Sequence, residues 1–334
     1  MIRASLALAG ALAALSLSLP IAAQEAPLPG ENAVQIEAID GVVAAGAEWE
    51  TAWSGPMTAD GMTTAPDGRL LFAQEQSNAI WALWPDDRAF VEVPYVLGAG
   101  AASFAVDGSL LAVERGCTDP GLNGLECSQP SALVQLLPER RVIAGAMPDG
   151  SSLGRLNDVL ADGRGGAWVT QSALWHIAAD GSVTKVYEPE AFTNGLATSP
   201  DNSTLYVTDM RTVHAFDLDA MGGASNARVF ASLDEDSEGF GGDGMTVDSE
   251  GRLYVTGDAG VYVFAGDGGK LGVIPVPRRS ITLAFAGPDR STLYVGAMGA
   301  MGAATPDGEA WATPEGVRNV AMTIYKLDTL SRGM

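Results

Sequence analysis

Four stretches of the chain open on Asp or Asn and then repeat one pattern. They begin at Asp60-Gly61-Met62, Asn157-Asp158-Val159, Asn194-Gly195-Leu196 and Asp243-Gly244-Met245. Each passes through a turn rich in Asp, Asn or Gly into a β-rich run such as Leu253-Tyr254-Val255-Thr256. A fifth copy keeps the pattern but carries Ser280 and Ile281 where the oxygen-bearing residue falls, and a degenerate copy starts near Ser103. The starts are roughly 37 to 54 residues apart, the period of a four-stranded blade. Helical periodicity is nearly absent, and the turns use residues that tolerate positive φ. The expected fold class is therefore all-β: a six-bladed β-propeller with four-stranded blades around a central channel. Closing such a ring is expected to take a strand from Gly41–Pro56, laid beside Met322–Leu327 in the last blade.

The residues before the repeats follow other rules. Arg3 precedes an apolar and small-residue run, Ala4 to Leu19, followed by Pro20-Ile21-Ala22-Ala23. The run is short and a small-residue cut site follows at once, so residues 1–23 are expected to be a secretory signal peptide cleaved after Ala23. Residues 24–334 are expected to form the single propeller domain, in the periplasm or secreted, with no membrane insertion after cleavage. An exported chain meets oxidising conditions, so Cys117 and Cys127 are expected to form a disulfide over a short loop, worth about 2–3 kcal/mol. The net charge of −22 speaks against nucleic acid and anionic membrane surfaces as partners.

In a propeller the first strand of each blade lines the channel, so Asp60, Asn157, Asn194 and Asp243 are expected to converge. Two carboxylates and two amide oxygens make a hard-oxygen cation site, suited to Ca²⁺ or another divalent cation. With only His176 and His214 in the chain, a His-rich zinc site is excluded. Both histidines are expected to pack within blades or lie at the surface. Glu75 and Glu114, near strand ends, are expected to be solvated. Gly150-Ser151-Ser152-Leu153-Gly154 fits a nucleophile elbow, but a β-rich stretch follows where that motif needs a helix. Asp234–Gly239 reads as a solvated acidic loop, since an EF-hand would need Glu where Met245 stands. Gly296–Gly316 reads as a surface loop.

Over Ala59–Asp328 the chain resembles the senescence-marker-protein/gluconolactonase family of six-bladed, calcium-dependent propellers. The resemblance is carried by Arg155-Leu156-Asn157-Asp158, by Thr193-Asn194-Gly195 and by Gly242-Asp243-Gly244-Met245. It implies Asn194 and Asp243 as metal ligands, Asn157 as a ligand or substrate contact beside the metal, and Arg155 as a residue that orients substrate. The family opens with Glu-Gly-Pro, its Glu a ligand, where this chain has Asp60-Gly61-Met62. Asp is one methylene shorter, so the metal would sit deeper or be reached through a water. The function this implies is a metal-dependent hydrolase that opens a lactone, acting as a monomer on a small molecule, with Asp243 as general base. Two alternatives stay open: an ester or phosphoester hydrolase at the same metal, or a non-catalytic binding propeller with a structural ion.

Overall fold

A computed structural model describes residues 31–118, 126–127, 129–189, 192–220, 222–233, 241–299, 311–313, 316–318 and 321–334. The expected leader, the acidic loop at 234–239 and most of the 296–316 insertion lie outside the described residues. So do the side chains of Cys117 and Cys127, and with them the expected disulfide. Their backbones face each other in a short ribbon, Cys117–Thr118 against Glu126–Cys127, with Cys117 opposite Cys127.

The described residues hold strands and no helix. Six four-stranded antiparallel sheets form the blades. Blade one is Asp60–Thr64, Leu70–Gln74, Ala79–Leu83 and Ala89–Pro94, and blade two is Ala99–Phe104, Leu110–Glu114, Ala132–Leu137 and Arg141–Ala144. Blade three is Val159–Ala161, Ala167–Thr170, Leu174–Ile177 and Val183–Tyr187, and blade four is Thr193–Thr198, Thr204–Asp209, Thr212–Leu218 and Ala224–Ser232. Blade five is Met245–Val247, Leu253–Gly257, Gly260–Phe264 and Lys270–Ile274. Blade six joins Ser280–Ala286, Thr292–Met298 and Met322–Asp328 to an outermost strand from the other end of the chain, Glu50–Gly55. There Thr51 faces Tyr325 and Gly55 faces Met322, so the expected closure holds. Blade two begins earlier than the degenerate repeat suggests, at Ala99 rather than Ser103.

Burial explains why the second strands are continuously apolar. In Leu253-Tyr254-Val255, Leu253 and Val255 pack toward blade four and Tyr254 toward blade six. In Leu70-Leu71-Phe72-Ala73, Leu70 and Phe72 face blade six, and Leu71 and Ala73 face blade two. A strand buried on both faces loses the polar half of its alternation. The core is thus a ring of six apolar layers, one between each pair of neighbouring blades. The segment before blade six's outer strand joins one layer through Ile36, Ile39, Val42 and Val43.

Candidate metal centre

The head residues sit where the first strands depart from regular pairing. Register breaks between Asp60 and Thr63, between Thr193 and Leu196, and between Ser280 and Thr282. In blades three and five the head precedes the strand, held by bonds from the Asn157 amide to the Thr170 carbonyl and from the Asp243 amide to the Thr256 carbonyl. Such irregularities re-aim a side chain, here toward the axis.

After Asp60, Asn194 and Asp243 the next residue is glycine because the next blade's backbone arrives there. A Cβ on Gly61 would lie 2.2 Å from the Ala101 Cα, and one on Gly195 2.2 Å from the Asp243 carbonyl oxygen. One on Gly244 would lie 2.9 Å from the Ile281 oxygen. Gly195 and Gly244 donate their amides to the Asp243 and Ile281 carbonyls, at 3.1 and 2.8 Å. Buried threonines at the ends of second strands tie successive heads together. Thr170 Oγ1 accepts from the Asp158 amide at 3.1 Å and donates to the Asn194 carbonyl at 2.7 Å. Thr208 Oγ1 accepts from the Gly195 amide at 2.7 Å and donates to the Asp243 carbonyl at 2.9 Å.

Asp60, Asn157, Asn194 and Asp243 line one small pocket, with Asp158, Gly100, Ala101 and Ile281. Its volume is about 10 Å³, room for one water-sized species. Beyond Gly61, Asp158, Gly244 and Thr282 the channel widens to a cavity of about 990 Å³ that none of the four heads lines. The chemistry therefore belongs to the small pocket. Asp158 is the residue the sequence reading missed. It occupies the position that is glycine after the other Asp and Asn heads, and that exception was the available signal.

The three aspartates sit deep in the ring while each keeps an accessible face. Burial pushes the Asp158 carboxyl up to about 7, with the Val159 amide pulling it down and the charge of Asp60 pushing it up. Burial, then repulsion from Asp60 and Asp158, holds Asp243 well above the usual carboxylate range. Burial also raises Asp60, against the pull of the Arg115 guanidinium and a bond from the Gly61 amide. Carboxylates crowded this way call for a positive charge. Among the described residues, no three His, Cys, Asp or Glu side chains stand at metal-ligand spacing. The donor set instead mixes carboxylate and amide oxygens, and that mixture suits a hard divalent cation such as Ca²⁺.

Beside the pocket, Glu75 and Glu114 overturn the solvated expectation, being 2% and 1% exposed. Arg115 donates to Glu75 Oε2 at 2.7 Å, and Arg155 to both Glu75 oxygens at 2.8 and 2.9 Å. Glu114 accepts from Arg140 at 2.7 and 2.8 Å and from the Leu97 amide. The guanidiniums come from segments 26 to 80 residues away along the chain, which no local pattern announces. The Arg155 side chain is 34% exposed and is held by Glu75. His176 pairs with Asp162 at 2.9 Å and His214 with Asp209 at 3.0 Å, neither lining the pocket. No helix follows Gly150–Gly154.

Solved structures share this architecture. A putative gluconolactonase superposes with TM-score 0.68 at 21% identity, covering 90% of this chain and 99% of its own. A calcium-binding regucalcin from Agrobacterium tumefaciens gives 0.64 at 22%, covering 86% and 96%. Among curated proteins, the pentonolactonase XacC of Haloferax volcanii is 34% identical over 191 residues, 54% of this chain and 64% of its own length. Regucalcin of Danio rerio is 36% identical over 134 residues, 38% of this chain and 45% of its own. The chain thus spans less than two thirds of either curated relative. Residues 58–299, more than two thirds of the chain, match the family described as SMP-30/Gluconolactonase/LRE-like region. The match takes in blades one to five whole and every head of the pocket, so the chain belongs to the SMP-30/gluconolactonase/LRE-like family.

Proposed function

We propose that this protein is a metal-dependent lactonase acting on a small-molecule lactone. One observation carries the reading: three partly buried, mutually repelling aspartates and two amide side chains converge on a pocket of one-ion size. The pentonolactonase and gluconolactonase names of its relatives supply the reaction class.

Asp60, Asn194 and Asp243, with Asp158 beside them, would hold the cation, while Asn157, whose side-chain oxygen bonds Arg115, stands next to it as an orienting or substrate contact. A hard divalent ion there would supply Lewis-acid polarisation of a lactone carbonyl. Asp243 serves as general base. As a base it would take a proton from the water that attacks the lactone carbonyl. Arg155, partly exposed and braced by Glu75, presents a guanidinium that can hold a substrate hydroxyl or the oxygen that gains charge as the ring opens.

The test is a panel of γ- and δ-lactones assayed with chelator-stripped protein, with and without added Ca²⁺. Turnover is expected only with the ion. Asp243→Asn is expected to lose about 100-fold or more in kcat/KM, the scale of general-base catalysis. Wild-type rates and tight metal binding in that variant would sink the reading. Turnover of a phosphotriester without any lactone would move the substrate class instead.

A further inference from the structure

Blade two brings no side-chain oxygen to the pocket. Gly100 lines it in place of an Asp or Asn head, and Arg115 fills the space beside it: a Cβ on Gly100 would lie 2.6 Å from Arg115 Nε. Arg115 follows the strand Leu110–Glu114 and is only 8% exposed. All three of its nitrogens are engaged. Nε donates to the Leu156 carbonyl at 3.1 Å, Nη1 to Glu75 Oε2 at 2.7 Å, and Nη2 to Asn157 Oδ1 at 2.9 Å and the Asn157 carbonyl at 3.4 Å. One side chain from blade two thus links blade one to the head of blade three.

The bond to Asn157 decides how that amide faces. Its Oδ1 turns to the guanidinium, so its Nδ2 turns to Asn194 and donates to Asn194 Oδ1. The Asn194 amide is therefore held with its oxygen, not its NH₂, toward Asn157, and both side chains belong to residues that line the pocket. Unlike a guanidinium fork, a lysine ammonium is a compact point donor that cannot reproduce this span.

We infer that Arg115 is a positioning residue for the cation pocket, aiming the Asn194 oxygen through the side-chain amide of Asn157. The inference rests on the metal reading above. Preset donors spare the cation the cost of orienting them, and partners that orient ligands change metal affinity strongly. The guanidinium also repels a cation, so direction itself is diagnostic. If charge dominated, altering Arg115 would not weaken binding.

Ca²⁺ titrated calorimetrically into chelator-stripped wild type, Arg115→Lys, Asn157→Ala and the double variant decides the matter, with folding checked by circular dichroism. Each single variant is expected to bind about ten- to a hundredfold more weakly. The double variant is expected to bind no more weakly than Asn157→Ala alone, because both changes cut one path. Arg115→Lys binding as well as wild type overturns the inference, as do additive losses in the double variant. Should Arg115→Lys not fold, Asn157→Ala still tests it, since the Glu75–Arg115 pair is left intact. Unchanged affinity there overturns the inference. Wild-type protein that binds no Ca²⁺ overturns the metal reading, and this inference with it.

Discussion

Asp158 shows what a single residue does in a crowded site. Its carboxyl is raised from the ordinary 3.8 to about 7, chiefly by burial. Between those values the folded chain keeps a proton that the unfolded chain has released. The stability from this group is fully present below about 3.8 and is lost as the pH rises through about 7. Asp60 and Asp243, also raised, act with the same sign. A bound cation favours the ionised forms and offsets the loss. Metal-free protein is therefore expected to melt lower at about pH 8 than at about pH 5, with Ca²⁺ raising the melting temperature more at the higher pH. Asp158→Asn, which keeps an oxygen for the Val159 amide, should remove part of the metal-free slope. Differential scanning calorimetry at several pH values checks this, and a metal-free melting temperature that climbs over the interval would contradict it. Asp158 was hard to read from sequence because charge in the residue after a head has meaning only once the other heads surround it.

The first strand of each blade is the element on which the site depends. Asn-Gly and Asp-Gly are ordinary turn dipeptides, and a linear reading cannot separate that use from close packing. The structure separates them at Gly195, which lies inside the strand Thr193–Thr198 at its register break and has the Asp243 carbonyl oxygen where a Cβ would go. Gly195→Ala must push blades four and five apart, so it is expected to cost at least about 1–3 kcal/mol, as overpacking does. The urea midpoint of unfolding measures the loss. Because the displaced blade carries Asp243, Ca²⁺ affinity is expected to fall as well. An unchanged midpoint would show that the ring yields at that contact. The repeated Val-Thr at Thr170, Thr208 and Thr256 was visible in the sequence. Its role was not, since Thr170 and Thr208 each bond a carbonyl belonging to the next blade.

At the scale of the whole molecule, the ring is a chain clasped by its two ends. Glu50–Gly55 covers the edge of Met322–Asp328, and Trp53 packs against Phe72 at 5.3 Å between ring centroids. Protein lacking residues 24–55 leaves that edge open, and open edges pair with other chains. Such protein is expected to elute as dimers and larger species in size-exclusion chromatography, and protein that keeps these residues is expected to elute as a monomer. Monomeric, cooperatively melting truncated protein would show that the clasp is dispensable. We also propose that the exported protein begins at Gln24 and joins Cys117 to Cys127. Their opposed backbone places suit such a bond. Intact mass before and after reduction is expected to show the shortened chain and the gain of two hydrogens. Retention of residues 1–23, or an unchanged mass on reduction, would refute the corresponding half.

The sequence by itself determined the blade count, the clasp and the convergence of Asp60, Asn157, Asn194 and Asp243. These follow from periodicity, because an in-register repeat in a closed ring must place equivalent residues about one axis. Only the tertiary structure decided that Asp158 joins them, that Glu75 and Glu114 are buried beneath arginines, and that Arg115 reaches from blade two to Asn157. Apart from Glu114 and Arg140, which share blade two, those pairings link residues of different blades. Long, flexible guanidinium side chains choose partners by proximity in space, and spacing along the chain carries no record of that choice.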